Sequence, residues 1–280
     1  MYVGILTAPF GGVSLEEVAE FAGTHGFGGL EILTSPNGKH INTLDFPASR
    51  ASEIRNLMEK QRIQISALAS YTDLTHADPA ARAKNIETVR SAIGIAKQLG
   101  VGVVCTLAGL PPKGKNRFQT IEEDCAEVFP PLLEHAAQNG VKLALENWYA
   151  TNIQNLAHWD RLFEVVNHPN LGLNFDPSHL MWQGIDYIAA VSQYSSRIFH
   201  SHGKDTEIDD VLLRKVGNQG DNWWRYVIPG LGRVKWGQYL SALRKSGYNG
   251  AVSIEHEDSA LGREEGFLIG KRYLEQFMAG

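Results

Sequence analysis

Short apolar runs alternating with helix-spaced apolar positions organise the whole chain. The runs cover residues 3–7, 29–34, 65–70, 101–105, 141–148, 171–176, 198–202 and 251–255, each the length of a buried strand. The segments between them carry helix signals. Ser14 and Glu17 stand at capping-box spacing before a helix to about His25. Ile54, Leu57 and Met58 space a helix between Pro47 and Arg62. Asp78-Pro79 supplies a cap and first turn for a helix that Gly100 closes. Thr120 and Glu123 form a second capping box, for a helix ended by Gly140. Further helices are predicted around residues 159–166, 186–195, 236–246 and 267–277, while residues 206–234 read as one long Gly- and Trp-rich loop.

Strict alternation of strand and helix implies a parallel sheet. Eight such units in a chain of 280 residues fit a closed (β/α)8 TIM barrel, one domain over residues 1–280. An open doubly wound sheet would want a Gly-rich phosphate turn after an early strand, and neither Gly11-Gly12 nor Gly26-Phe27-Gly28-Gly29 has that context.

The composition changes this picture little. With 43% hydrophobic and 20% charged residues, the chain can bury a sizeable core. A net charge of −5 and an isoelectric point near 6.1 give no reason to expect nucleic acid or a membrane surface as partner. The first residues lack the charged start and apolar run of a signal peptide. Cys105 and Cys125 are too few and unpatterned for a disulfide framework or thiolate zinc site, so two buried free thiols and a reducing, cytoplasmic setting are expected.

Strand parity brings in the chemistry. If Leu143 and Leu145 face the helices, Ala144 and Glu146 face the barrel interior. The same phase turns Asn174 and Asp176 inward against Leu173 and Phe175, and Ser253 and Glu255 inward against Val252 and Ile254. In the seventh strand Phe199, taken as outward, puts His200 and His202 inside, although Ser201 fits this less well. Alone, each acid could cap a helix or pair with a base. Four candidates in phase at the C-terminal ends of neighbouring strands, where barrel active sites lie, point to one divalent cation held by Glu146, Asp176, His202 and Glu255. Three carboxylates and an imidazole suit Mn2+ foremost, with Mg2+, Co2+ or Zn2+ as alternatives. His200, one layer deeper, reads as a core histidine.

These residues resemble a known family. Leu145-Glu146-Asn147, the run Asp176 to Leu180, the run His200 to Asp205, the run Ser253 to Asp258 and the loop Trp223 to Gly232 are similar to those of the xylose isomerase-like barrels, and within them to the sugar phosphate isomerases/epimerases. The resemblance spans essentially the whole chain. It implies a metal bound by Glu146, Asp176, His202 and Glu255, proton exchange with substrate by the two glutamates, and a substrate contact from His179. The three-zinc endonucleases that share the barrel need further histidines on earlier strands. Here those positions offer Ser66, Ser70 and Thr106, with His76 beyond strand three.

The expected chemistry is α-proton transfer on a ketose or keto-sugar. A Lewis-acidic ion stabilises the enediolate while Glu146 and Glu255 move the proton. His179 and Lys204 are expected to contact substrate oxygens, although Lys204 could instead pair with Asp205 or Glu207. Trp148 is expected to wall the sugar, and Arg225 to reach it from a covering or subunit-contacting loop. The acidic run after strand eight argues for an unphosphorylated sugar. Rival readings are elimination of a β-leaving group from an inosose or 3-oxo-glycoside, including C-glycoside cleavage with a small second subunit, and a non-catalytic sugar-binding barrel. A homo-oligomer is otherwise expected.

Overall fold

The fold is seen in a computed structural model that describes residues 1–278. Eight parallel strands close into a barrel: β1 (Tyr2–Leu6), β2 (Gly29–Ser35), β3 (Gln64–Ala69), β4 (Val103–Leu107), β5 (Lys142–Glu146), β6 (Leu171–Phe175), β7 (Ile198–Gly203) and β10 (Ala251–Ile254). Each pairs with its neighbours in order, and β1 closes the ring by pairing with both β10 and β2. The expected (β/α)8 barrel is therefore present. Between β7 and β10 the chain adds an antiparallel hairpin, β8 (Asp205–Ile208) and β9 (Trp224–Val227), around a short helix Asp210–Val216.

Several helix ends are those expected from local chemistry. Ser14 and Glu17 form the capping box, Asp78 caps Ala80 N ahead of Pro79, and Gly100 ends that helix in the left-handed region, with φ 72°. One expectation is corrected. Thr120 lies inside a helical run, and the capping box belongs to Asn116 and Gln119 four residues upstream. The same spacing rule fits both pairs, and Asn116 is the one with extended backbone angles. The segment 206–234, expected to be a loop, is corrected too, because it holds the hairpin strands and the short helix.

The main core lies between the barrel and its helices, where Leu143, Leu145, Leu173, Val252 and Ile254 pack outward as parity required. Inside the barrel the apolar filling is slight: Ala67, Cys105 and Ala144, with Tyr71, Val103 and Phe199 against them. Such small residues leave room for a polar floor. Both cysteines are free and buried, as expected.

Phe199 corrects the parity argument for the seventh strand. It packs against the interior cluster, under the Lys142 ammonium at 4.4 Å, so it faces inward. The β6–β7 register slips by one residue here, from Leu173↔Ile198 to Asn174↔His200. A bulge of this kind re-aims the side chains beyond it, so His200 and His202 still face inward. Ser201 is left facing the helix Trp236–Lys245, where its hydroxyl lies 2.8 Å from the Tyr239 hydroxyl. Gly172 makes the space for Phe199, since a methyl group there would collide with the Arg197 carbonyl and the Phe199 ring. Gly172→Ala should therefore lower stability by about 2–3 kcal/mol, read as a shift in the urea midpoint. An unchanged midpoint would show that Gly172 does not hold the bulge open.

Candidate metal centre

The inward residues at the C-terminal ends of β5, β6, β7 and β10 converge. One donor atom from each of Glu146, Asp176, His202 and Glu255 lies within 4.8 Å of the others, a spacing that one cation with bonds of about 2.0–2.3 Å can span. His202 Nδ1 is 3.0 Å from Glu255, 3.7 Å from Glu146 and 3.9 Å from Asp176. Two of these atoms, His202 Nδ1 and Asp176 Oδ2, are buried without a hydrogen-bond partner. A buried polar atom without a hydrogen bond is costly, and a cation between these two would satisfy both. The donor set fits a divalent ion.

Asp176 serves two roles at once. Its Oδ1 caps the short helix Pro177–Met181 by accepting from Ser178 N at 2.8 Å, which leaves Oδ2 turned to the centre. Asn147, next to Glu146, clamps the Asp176 backbone from both sides, accepting from its N–H at 2.8 Å and donating to its carbonyl at 2.9 Å.

Lys204 supplies the local positive charge. Its ammonium is buried, 2.7 Å from Glu255, 3.3 Å from Asp176, 3.4 Å from Glu257 and 3.9 Å from Glu146. It pairs with neither Asp205 nor Glu207. Asp205 instead accepts from Gly230 N, Val234 N and the Trp236 indole, anchoring the end of the hairpin segment. Burial disfavours the Lys204 charge, but the surrounding carboxylates overcome it and push its pKa well up. Burial likewise opposes ionisation of Glu146 and Glu255. Histidine contacts at Glu146, and Lys204 at Glu255, reverse the direction and lower both. At Glu257 burial prevails and the pKa is raised.

His179 is fully buried, its Nε2 3.2 Å from Glu146 and its Nδ1 2.5 Å from the Tyr226 hydroxyl. It packs beside the centre and does not line the open cavity. That cavity, of about 220 Å³, is bounded by Tyr71, Leu107, Glu146, Trp148, Lys204, Glu255 and Glu257. Trp148 thus sits where a sugar wall was expected. Arg225 does not. Neighbouring residues in a strand face opposite ways, so β9 turns Trp224 and Tyr226 to one side and Arg225 to the other. There it donates to Glu207, its cross-strand partner, at 2.6 Å and to Asp258 at 2.8 Å. Trp224 stacks on Trp182, with ring centroids 4.3 Å apart, so the hairpin is packed down by its aromatic face.

Beyond the expected site residues, Glu31, Tyr71, Tyr226 and Glu257 also lie at the centre. Glu31 is fully buried in β2, 3.1 Å from His202 Nε2 and 2.6 Å from the Tyr71 hydroxyl. Burial would push its pKa up, but the two neighbouring histidines hold it down to about 2. A lone carboxylate between Leu30 and Ile32 was the available signal. Glu31, Cys105 and His200 also cluster, yet Glu31 and His200 already have protein partners: Tyr71 and His202 for Glu31, and Asn174, Ser66 and Ser253 for His200. Burial keeps the Cys105 thiol protonated. Ser66 thus belongs to the barrel floor, Thr106 donates to the Ser70 carbonyl, and His76 accepts from Asp78 N in a loop.

The xylose isomerase-like TIM barrel family model matches residues 19–277. The chain belongs to this family. Its relatives include YfiH of Bacillus subtilis, 30% identical over 99% of both chains, and inosose isomerase of Halalkalibacterium halodurans, 27% identical over 84% of this chain and 80% of that one. An inosose dehydratase of Lacticaseibacillus casei matches at 29% over 52% of this chain and 51% of its own. Among solved structures, the IOLI protein with a bound zinc atom superposes with a TM-score of 0.78, at 22% identity and full coverage of both chains. Two of these relatives carry the names of inosose-converting enzymes, an isomerase and a dehydratase.

Lys204 is the counter-charge whose removal is most informative. Its raised pKa keeps its contribution in place until the pH rises past its usual value, and the lowered pKa of Glu255 keeps that side in place until the pH falls below the carboxylate range. Lys204→Met should cost the metal-free protein about 3–5 kcal/mol at pH 7, and the deficit should narrow below about pH 4. Chemical denaturation across pH checks this, and equal stability at pH 7 would contradict it.

Proposed function

We propose that the chain is a divalent-metal-dependent isomerase or epimerase of an unphosphorylated keto-sugar or inosose, working by α-proton transfer. One observation carries the reading. Three carboxylates and an imidazole meet at the barrel mouth with two of their donor atoms lacking a hydrogen bond, and Glu146 and Glu255 open on a small acidic cavity. The site would hold the ion through Glu146, Asp176, His202 Nδ1 and Glu255. When bound, the ion would polarise a carbonyl and its neighbouring hydroxyl and draw off the charge that develops on them.

The protein's own groups do the rest. Glu146 and Glu255 come from non-adjacent strands and face the same space, so one takes the α-proton and the other returns it. His179, held between Tyr226 and Glu146, fixes the Glu146 carboxylate on the side of the centre. Lys204 stands where it can donate to a substrate oxygen. Trp148 gives the apolar wall that a sugar face packs against. Cavities for drug-sized ligands are roughly 300–1,000 Å³, so the smaller space here favours a single sugar ring over a glycoside with an aromatic aglycone. Three carboxylates line it against one ammonium, and Arg225 is already spent on Glu207 and Asp258. Both features support a substrate without phosphate. Mn2+ is the ion proposed first, since oxygen-rich ligation does not select zinc, although the zinc bound by the IOLI protein keeps Zn2+ in the comparison.

Elimination is the second reading, supported by the likeness to inosose dehydratases. The two part at the fate of the carbanion, which is either reprotonated or expels a hydroxyl group from the next carbon.

Incubation in D2O with a panel of ketoses, inososes, phosphorylated ketoses and 3-keto-glycosides separates them by NMR. The expected result is deuterium at the carbon next to the carbonyl of an unphosphorylated substrate without loss of water. Loss of water would select the dehydratase, and released aglycone would select glycoside cleavage. Glu146→Gln and Glu255→Gln, checked for bound metal, should each slow exchange by about 100- to 10,000-fold. Full exchange in both variants would remove them from the chemistry. Chelation should abolish exchange, and added Mn2+ should restore it. Activity that survives complete removal of the ion would overturn metal dependence.

A further inference from the structure

We infer that Glu31, on the far side of the barrel from the ligand strands, is a positioning residue for the metal centre: it accepts from His202 Nε2–H and so commits Nδ1 to the ion. The inference rests on the metal reading above and concerns groups that the reading leaves unassigned.

His202 Nδ1 faces the three carboxylates of the centre. Its Nε2 faces Glu31 Oε2 at 3.1 Å, the Tyr71 hydroxyl at 3.1 Å and the Asn174 amide nitrogen at 2.9 Å. Asn174 Oδ1 lies 3.0 Å from His200 Nδ1, and in that placement its nitrogen, a donor, faces the Tyr71 hydroxyl at 3.1 Å and His202 Nε2. An amide nitrogen cannot accept. Tyr71 sends its one proton to Glu31 Oε1 at 2.6 Å. The charged acceptor left for an Nε2 proton is Glu31 Oε2. With the proton at Nε2, the lone pair stands at Nδ1, which coordination requires.

A carboxylate does this better than a neutral acceptor. It holds the ring's orientation and also makes the imidazole a stronger donor to the ion. It acts from a fixed place as well, because Glu31 is a strand residue with no exposed surface and Tyr71 holds its second oxygen. The first half of the barrel contributes no ligand to the four-donor group, yet through Glu31 and Tyr71 it sets how the one nitrogen ligand is presented.

The test is Mn2+ affinity, measured by competition with a chromophoric chelator, for the parent, Glu31→Gln and Tyr71→Phe. Glu31→Gln should weaken binding by about 10- to 100-fold, and Tyr71→Phe by less, since it keeps the carboxylate but frees it to turn. Circular dichroism of the metal-free variants establishes that they fold. A second readout does not depend on any variant. In Zn2+-loaded parent labelled with 15N-histidine, His202 should show a protonated Nε2 and a metal-bound Nδ1. Unchanged affinity in a folded Glu31→Gln variant, or a ring bound through Nε2, overturns the inference while leaving the metal reading intact. A parent protein that takes up no ion overturns both.

Discussion

Three carboxylates held within a few ångströms of one another, largely out of water, are the constraint on which the rest of this structure depends. Left to themselves, Glu146, Asp176 and Glu255 would repel and take up protons. The barrel offsets them with Lys204, whose buried ammonium touches all three, and with His202 among them. Buried charge of this kind adds little net stability compared with apolar packing. It is the sort of arrangement that strong local restraint must hold in place, here strand ends, the Asn147 clamp on Asp176 and the Asp205 anchor of the hairpin. A divalent ion would bring more opposing charge than one ammonium, and it would satisfy the two atoms that Lys204 leaves without a hydrogen bond.

The convergence of the four side chains was legible because alternation along a strand is strict. Leu143, Leu145, Leu173, Val252 and Ile254 pack outward, and that alone decides where Glu146, Asp176 and Glu255 point. The histidine was reached by an incomplete route. Phe199 faces inward, and a register slip restores the phase. A bulge leaves no mark in a hydrophobic pattern, whereas the misfit of Ser201 was its one visible trace. Glu31 passed unnoticed for a different reason. It lies within a strand in the half of the barrel without ligands, although the same parity between Leu30 and Ile32 would have turned it inward. The hairpin was read as a loop because its strands are short and separated by Gly217, Gly220 and Asn222. With β9 unseen, Arg225 was expected to turn towards the centre, whereas its strand neighbour Tyr226 is the residue that packs against His179 and Lys204.

The barrel itself decides no reaction, since this fold hosts many. What narrows the choice is the content of the mouth: a small cavity, an apolar wall at Trp148, an excess of carboxylates, and no arginine turned inward among the residues that line it. These features favour a neutral, hydroxyl-rich ring and chemistry at the carbon next to its carbonyl.

The central claim is that one cation sits among these four side chains, with His202 bound through Nδ1. Anomalous diffraction from crystals grown with Mn2+ tests it most directly. One strong peak per chain is expected, about 2.0–2.3 Å from His202 Nδ1 and from a carboxylate oxygen of each of Glu146, Asp176 and Glu255. A stoichiometric ion bound elsewhere, or held through His202 Nε2, would contradict it.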